Sequence, residues 1–463
     1  MSLPSSLDYT KILPIAAGNP RAMRRTFLPM NGQSFSAAGN NIVRIEISAS
    51  QFWDPLHSFL RFDITNGAQT CATDYGGGHG FIRRLRVEQA GSIIMDCNRY
   101  DRLLAAILLP CQGGLASQGQ RSITENIVYG NNTSAAIAAN TNLPVANAQV
   151  NGSFTTAVVP AVDYLAANAT TSYSIPLVGG LFSQDKLVPL QFLSSSPLTI
   201  ELELSPAIDA MISAAGGNND YTMSNIRYIA QLVDVSPEVD AQVRMVQEMS
   251  GGHIVLNSTD YTHFSGNIAA NASGAQAINV PARRKSIKSI LFCGQSLQGA
   301  NFLNYRQSHG GNFGLNSYHA KIGSINHPAT PIDCRLNGNG PGGASLNSRG
   351  EALMELSKCF GTTGSVIGTG ILNRMNCYTT NGTAAAGRLA VNTPFQFGAF
   401  GLDVEAFQRT AIESGINTAE KSTPISLILD IGNSIGEAQT VDAFVAFDSL
   451  YYIDSSGIIS VSH

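Results

Sequence analysis

The sequence predicts an all-β protein made of two consecutive copies of one β-rich unit, with a few short helices and long loops. The composition is the first indication, since only 13% of the 463 residues are charged while 44% are hydrophobic. A chain of this length can bury a sizeable core. The net charge of −4 argues against a protein that coats nucleic acid with its whole surface. The other two indications are alternating residue patterns and an internal duplication.

Alternation of apolar and polar residues with a period of two is the dominant local pattern. From Leu198 to Leu204 every second residue is Leu or Ile, and the residues between them are Thr or Glu. Such a segment forms a strand with one face on a core, as is typical of antiparallel sheets. The same pattern recurs in four further segments: Val43–Ile47, Leu60–Ile64, Ile425–Ile431 and Val441–Phe447.

A weak internal duplication places three landmarks in the same order in both halves, at offsets of about 205 to 227 positions, which favours two copies of one unit. The first landmark is a strand that enters a small-residue turn, the second is a helical segment followed by a long strand, and the third is a closing strand. Chance similarity between amphipathic strands is the alternative. The paired strands are Phe81–Ile93 with Lys285–Leu297, Ser196–Leu204 with Thr423–Ile431, and Ser224–Ser236 with Val441–Asp454.

The duplication divides the chain. Ser236-Pro237 is a typical helix start and Gly251-Gly252 a typical helix end, so residues 236–252 are predicted to form a linker helix. We expect an extended arm over residues 1–30 and units over residues 31–235 and 253–463. Two stretches with little pattern, residues 112–170 and 298–349, are predicted to be long loops in corresponding regions of the units, on the outer face of an assembly.

Cysteine usage and the N-terminal sequence favour a protein made in a reducing cytosol. The seven Cys are scattered and contain no C-x-x-C pair, which disfavours a disulfide framework and a zinc ribbon. Asp8, Lys11 and two prolines interrupt any signal-peptide core at the N-terminus. The longest apolar run, Leu103–Leu109, is far too short to span a membrane.

The search for chemistry predicts no enzyme, no cofactor and no metal. The chain has no Walker A lysine motif, no G-x-S-x-G elbow and no H-E-x-x-H helix. The G-x-G-x-x-G string at Gly338–Gly343 contains a Pro and is interpreted as a turn. The remaining candidates are a histidine group with unsuitable ligand spacing, a turn histidine near an acid, and two aspartates without a definable partner acid: His309, His319 and His327 with Cys334; His79 near Asp74; Asp430 and Asp442.

The N-terminal arm has an excess of basic residues, which suggests a binding role. Residues 1–30 contain Lys11, Arg21, Arg24 and Arg25 against the single acid Asp8. We hypothesise that these four basic residues form contacts on the inner surface of an assembly or between its neighbouring units. A packaged genome and an internal membrane are equally compatible with their charge. A disordered terminus is the plain alternative.

Four segments resemble one known family, the double jelly-roll major capsid proteins, most closely those of polinton-like viruses, virophages and related eukaryotic DNA viruses. In the first half the resemblance includes a strand with the basic pair Arg83-Arg84, the turn at Gly91, and a short helix with Tyr100 and Leu103-Leu104. It covers both halves and leaves the two long loops unmatched. The segments are Phe59–Gly67, Phe81–Leu108, Leu187–Ala207 and Val441–His463.

The resemblance implies a double jelly roll, that is, two consecutive jelly-roll β-sandwiches. It also implies a homotrimer that forms pseudo-hexameric capsomers and tiles an icosahedral shell, located in the virion after synthesis in the host cytosol. Its partners would be further copies of itself, neighbouring capsomers, penton and other minor capsid proteins, and through the arm the genome or an internal membrane. The sequence contains 21 Arg and 7 Lys, a ratio typical of protein interfaces but also produced by codon bias.

Two other classes remain open from the sequence. A minor vertex or fibre protein of a virion would also be rich in strands and loops, although it usually needs only one roll. A secreted carbohydrate-binding β-sandwich would need aromatic side chains to stack on sugars, and the presence of a single Trp, Trp53, argues against it.

Overall fold

The structure is a computed structural model of the chain. The residues it describes are 20–69, 71–112, 120–121, 123–125, 165–193, 196–213, 220–296, 307–308, 314–334, 350–361, 398–406, 414–419, 424–432 and 438–463. The elements and contacts named below lie within these residues.

The first half forms two main antiparallel sheets. Sheet 1a has the strand order β1-β12-β4-β8, with β2 on β12 and β9 on β4; sheet 1b has the order β3-β10-β6-β7; β5 and β11 form a small ribbon. The strands are β1 Arg21–Phe27, β2 Ser34–Ser36, β3 Ile42–Ile47, β4 Phe52–Asn66, β5 Cys71–Thr73, β6 Ile82–Gln89, β7 Ser92–Asn98, β8 Thr170–Ile175, β9 Val188–Pro189, β10 Leu198–Leu204, β11 Met211–Ser213 and β12 Tyr221–Asp234.

The second half repeats this arrangement. Sheet 2a has the order β13-β20-β15-β18, with β21 on β20, and sheet 2b has the order β14-β19-β16-β17. The strands are β13 Ile254–Ile268, β14 Gly274–Val280, β15 Ile287–Ser296, β16 Leu315–Ile322, β17 Ile325–Asp333, β18 Ala399–Asp403, β19 Ile425–Ile431, β20 Gln439–Ile453 and β21 Ile459–Ser462.

Helices are few. The first, α1, follows β7 as a continuous run of Tyr100–Arg102, a π-helical Leu103–Leu108 and Leu109–Gln112. Further helices are α2 Ala207–Ala210, α3 Pro237–Met249 and α4 Gly350–Cys359, and short 3-10 helices span Gly77–Phe81, Gly180–Ser183 and Leu190–Leu193. A helix is therefore present where the linker was predicted, and Gly251 and Gly252, which follow it, have φ of 75° and 87°. Glycine suits this left-handed end because it has no Cβ to clash.

Strand order shows that each half is a jelly roll, so the predicted all-β double jelly roll is confirmed. In each roll the chain alternates between the two sheets in the same sequence, and the two four-strand orders match position by position. The hairpins β6–β7 and β16–β17 are equivalent, and each closes with a two-residue turn, Ala90-Gly91 and Gly323-Ser324. Positive φ at Ala90, Gly91 and Gly323 suits the twist of such tight turns.

The matched orders correct one landmark of the duplication. The pairs β10 with β19 and β12 with β20 are equivalent, as predicted, but β6 corresponds to β16 and not to β15. The segment Lys285–Leu297 instead belongs to β15, the counterpart of β4. Both β6 and β15 alternate and run toward small residues, and a period of two does not distinguish one half-buried strand from another.

The structure also corrects the boundary of the arm. Arg21–Phe27 is a strand that pairs with β12 over its whole length, from Arg21 opposite Asp234 to Phe27 opposite Tyr228. The first roll therefore begins at residue 21 and not at residue 31. Its first six residues are exposed, because β1 lies at the sheet edge, so no alternation marks it as a strand.

The second predicted loop, residues 298–349, is also partly wrong. Its middle forms the hairpin β16–β17, whose first strand pairs with β19 in the centre of sheet 2b. Strand β17 is an edge strand with two prolines, Pro328 and Pro331, which an edge tolerates because it needs fewer backbone donors. Prolines of this kind give a strand the sequence character of a loop. Of the first predicted loop, residues 113–119, 122 and 126–164 lie outside the described part.

The core has two parts. The larger cluster fills the first roll and continues across the junction to side chains of the second, including Leu256, Phe444 and Tyr451. The smaller cluster fills the second roll, around Phe292, Tyr318 and Phe400. Because one apolar cluster spans both rolls, the rolls are packed on each other rather than merely tethered.

Candidate functional site: the association surfaces

The centre of the junction between the rolls is a buried arginine. Arg102 of α1 donates from Nε to Asp442 Oδ2 of β20 at 3.2 Å, and from its two terminal nitrogens to the carbonyl oxygens of Gln307 (2.5 Å) and Gly294. The Arg102 side chain is fully buried, and that of Asp442 nearly so. A guanidinium with this many partners joins the first roll to three segments of the second.

Asp442 is held by both rolls. His263 of β13 places its Nε2 2.8 Å from Asp442 Oδ1. Burial by itself raises the pKa of Asp442, but the hydrogen bond from His263 and the charge of Arg102 outweigh burial, so the pKa lies below its usual value. The carboxylate is thus ionised, as its pairing with Arg102 requires.

A second carboxylate anchors the chain at residues 307–308. Asp74 of the first roll accepts backbone N–H bonds from Gln307 at 2.8 Å and Ser308 at 3.2 Å. The Gln307 side chain donates back to the carbonyl of Gly80 at 2.7 Å. Burial raises the pKa of Asp74, while these hydrogen bonds oppose the rise. Residues 307–308, between β15 and β16, are therefore attached to the first roll.

At the other end of the rolls, a glutamine joins the β6–β7 turn of the first roll to the β20–β21 turn of the second. Gln89, at the end of β6, donates from Nε2 to the carbonyl of Gly457 at 2.7 Å and accepts from the Ile459 N–H at 2.7 Å. Nearby, Ser258 donates to the carbonyl of Gly180 at 2.7 Å. Directional bonds at both ends fix the position of the second roll on the first.

The face of sheet 2a that points away from its own core is consequently covered by the first roll. Its acids Asp442 and Asp448 are both at least nine-tenths buried. The covering parts of the first roll are β7, α1 and the turn Gly180–Ser183. A β-sandwich edge of the first roll thus lies against an acidic sheet face of the second.

The equivalent face of sheet 1a is open and basic. Arg24 of β1 and Arg227 of β12 are exposed, and Arg61 of β4 is half-buried. Arg227 lies directly opposite Arg61 in the strand register, an arrangement of like charges that is unfavourable without an anionic partner. Asp63 also lies on this face, and its two oxygens accept from Asn225 and Ser172. We refer to this surface as the basic face.

Helix α4 lies at the edge of the second roll, in the connection between β17 and β18 that corresponds to the connection containing α1. Its Ala352 and Leu356 are buried against the roll. Glu351 and Met354 are exposed and Glu355 is half-buried. Because residues three and four apart share one side of a helix, these three side chains form an outward stripe. Glu355 also pairs with Lys358 of the same helix, so Glu351 is the acid of the stripe without a cation partner on α4. We refer to it as the acidic stripe.

The predicted site residues lie in different environments. Arg21, Arg24 and Arg25 are on the exposed edge strand β1, whereas Lys11 lies outside the described residues. His79 lies in the short 3-10 helix Gly77–Phe81, where it is buried and lies 3.3 Å from the Tyr100 hydroxyl. His319 and His327 lie on β16 and β17; His309 and the string at Gly338–Gly343 lie outside the described residues. Within the described residues no group of three His, Cys, Asp or Glu side chains is placed to hold a metal ion.

Sequence reasoning missed the pair Arg102–Asp442. Asp442 attracts notice in the sequence only as an acid without a partner acid, and Arg102 belongs to no motif. A charged residue inside the apolar stretch from Tyr100 to Leu109 was the available signal, because a buried charge needs a partner.

A cavity of about 240 Å³ opens beside the C-terminal end of α4. Among the apolar residues that line it are four charged ones: Lys288, Lys358, Asp403 and Glu405. Lys288 already pairs with Asp448 at 2.9 Å. We assign no ligand to this cavity, because its lining includes Gly361, the last described residue before an undescribed stretch. None of the helices in the described ranges has both the length and the apolar character needed to cross a membrane.

Comparison with known proteins identifies the class of fold. No family model and no curated protein matches the sequence. Solved structures do match over almost the whole chain, and they share the two-roll architecture described above.

Three of these structures illustrate the likeness. A chain of the Sputnik virophage has a TM-score of 0.58 at 12% identity, over 100% of this chain and 92% of that one. The mavirus major capsid protein has 0.54 at 10%, over 100% and 95%. The Faustovirus major capsid protein has 0.52 at 10%, over 95% and 92%. At such identities the likeness shows the fold, a double jelly roll spanning the full length of each protein.

Proposed function

We propose that this protein is a major capsid protein: it trimerises into pseudo-hexameric capsomers that tile an icosahedral virus shell. Its role is structural and not enzymatic, and its location is the virion. Its partners are copies of itself, neighbouring capsomers, and penton and other minor capsid proteins. Synthesis in the host cytosol is part of the same proposal.

One observation carries this proposal. The two rolls have matched strand orders and lie side by side with corresponding ends together, so one chain supplies two similar building units. One roll's outward sheet face is covered by its neighbour, whereas the equivalent face of the other roll is open. A repeated contact of this head-to-tail kind produces a closed ring when its rotation closes. Three chains with six rolls form the proposed ring.

The named structural neighbours support the proposal, because the mavirus and Faustovirus proteins of the same two-roll architecture are major capsid proteins. We further propose that the division into two rolls lies at α3. Lys11, Arg21, Arg24 and Arg25 remain proposed contacts with neighbouring molecules of the shell. For the three arginines, their position on an exposed edge strand supports contact with protein neighbours.

The test is the association state of the purified full-length chain. Light scattering after size exclusion is expected to report three chains per particle, and electron microscopy is expected to show compact three-fold particles with six lobes. A stable monomer at micromolar concentration contradicts trimerisation. Elongated particles would indicate a minor vertex or fibre protein instead.

A further inference from the structure

We propose that the basic face of the first roll binds the edge of the second roll of another copy, with Arg24, Arg61 and Arg227 receiving Glu351 and Glu355 of the acidic stripe. This inference rests on the proposed function and identifies the surfaces through which copies of the chain associate. The partner is a second copy of this chain.

The contact inside the chain provides the pattern. There, the edge of the first roll, formed by β7 and α1, lies against β13 and β15 of sheet 2a, and Arg102 of α1 donates to Asp442 of β20. The strand orders make β17 the counterpart of β7, and β1 and β12 the counterparts of β13 and β20. Strand β17 is mostly exposed, and so is β1. The second roll thus has an open edge at β17, and the first roll has an open face at β1. These are the two surfaces that an edge-to-face contact of the same kind needs.

Charge supports the assignment. The edge is basic and the face acidic inside the chain, whereas the edge is acidic and the face basic in the proposed contact. Inside the chain the edge contributes Arg102 and the face contributes Asp442. In the proposed contact the face contributes Arg24, Arg61 and Arg227 and the edge contributes glutamates. A first-roll edge therefore meets like charge on the basic face of another copy. Such a pattern rejects the wrong pairing as well as favouring the right one.

The basic face also needs an acceptor. Within the described residues neither Arg24 nor Arg227 has a carboxylate partner; Arg24 lies over the Phe59 ring and Arg227 donates to Asn225. Arg227 and Arg61 lie opposite each other in the register. Glutamates from another chain would relieve this repulsion, and the exposed Met354 would add apolar area to the contact.

The experiment is a set of charge reversals on the full-length protein, with association measured by sedimentation velocity. E351R/E355R is expected to weaken trimer formation at least tenfold, and R24E/R227E is expected to do the same. Combining all four changes is expected to restore trimers, since the charges are then exchanged. The matched control is E238R/E248R, which reverses two exposed glutamates on α3 and is expected to leave association unchanged.

The outcomes separate this inference from the proposed function. If the unchanged protein forms trimers and E351R/E355R forms them equally well, the assignment of surfaces is overturned while trimerisation stands. If the unchanged protein stays monomeric, trimerisation itself fails. Circular dichroism and unfolding midpoints must match those of the unchanged protein for each variant. Loss of binding to a 20-nucleotide DNA by R24E/R227E, with trimers intact, would assign the basic face to nucleic acid and overturn the inference.

Discussion

Arg102 and Asp442 form an ion pair across the two rolls in which both side chains are almost completely removed from solvent. Their separation in sequence is 340 residues. The pair therefore exists only when both rolls are folded and packed, and it makes the stability of one roll depend on the other.

Replacing Arg102 with Met is expected to lower the free energy of unfolding strongly. Methionine leaves Asp442 as a buried charge with His263 as its remaining hydrogen-bond partner, and breaking a buried pair in this way costs about 3–5 kcal/mol. Denaturant unfolding followed by circular dichroism measures the change. The matched control is Arg44→Met, which removes the Arg44–Glu201 pair where the arginine is half-exposed; a cost of about 0–1 kcal/mol is expected there. Equal losses for the two variants would contradict the special role of Arg102.

Replacing Asp260 with Asn is expected to stabilise the protein at neutral pH. Asp260 is buried; its Oδ2 accepts from the Tyr451 hydroxyl at 2.5 Å, and burial raises its pKa above the usual value. A raised carboxyl pKa means that the folded state binds the proton more tightly than the unfolded state. The contribution of this group to stability therefore increases as the pH falls through its folded-state pKa toward the ordinary value.

Unfolding midpoints between pH 5 and pH 8 test this assignment. The advantage of D260N over the unchanged protein is expected to be largest at the high end of the series and to shrink as the pH falls. Asp63→Asn, on the outward face of β4, is the control for removing a carboxylate outside the junction. An advantage of D260N that is independent of pH would contradict the raised pKa of Asp260.

Replacing Gly180 with Ala is expected to disrupt the junction. Gly180 has φ of 49°, and a Cβ there would collide with Asp260 Oδ1, Met95 Sδ and the Tyr451 hydroxyl. Strain alone costs roughly 1–2 kcal/mol for a side chain in the left-handed region. Gly91→Ala supplies the control, because Gly91 also has a positive φ but no atom lies within 4 Å of the point that an alanine Cβ would occupy. A loss of thermal stability clearly larger for G180A than for G91A is expected, and similar losses would show that no collision occurs.

Limited proteolysis of assembled particles is expected to cut first within residues 113–164 and 335–349. These sequences connect strands and show no alternation of their own, so they are predicted to form outer loops. The hairpin β16–β17 between residues 315 and 333 is expected to resist, because β16 is paired on both sides. Mass spectrometry of the fragments locates the cuts. Early cuts in β10 or β20 would contradict the strand assignment.

The sequence by itself determined the all-β class, the two-unit organisation, the presence of a helix after Ser236 and the equivalence of β10 with β19 and of β12 with β20. These features depend on local patterns: a period of two, a helix start and end, and landmarks in a fixed order. It did not identify β1, β16 or β17 as strands. The edge strands β1 and β17 have almost no buried residues, and the partners that define them lie far away in sequence. Strand β16 is central, but an irregularity between Leu315 and Ser317 interrupts its alternation.

Only the tertiary structure decided which surfaces are covered and which are open. The outward face of sheet 2a is acidic and covered, whereas the equivalent face of sheet 1a is basic and open. In the sequence, the residues of both faces are simply the polar positions of alternating strands. Asp442 and Arg227 look equally solvated in the sequence. Their difference arises because burial and pairing depend on what packs against a strand, and for Asp442 that is a helix 340 residues earlier in the chain.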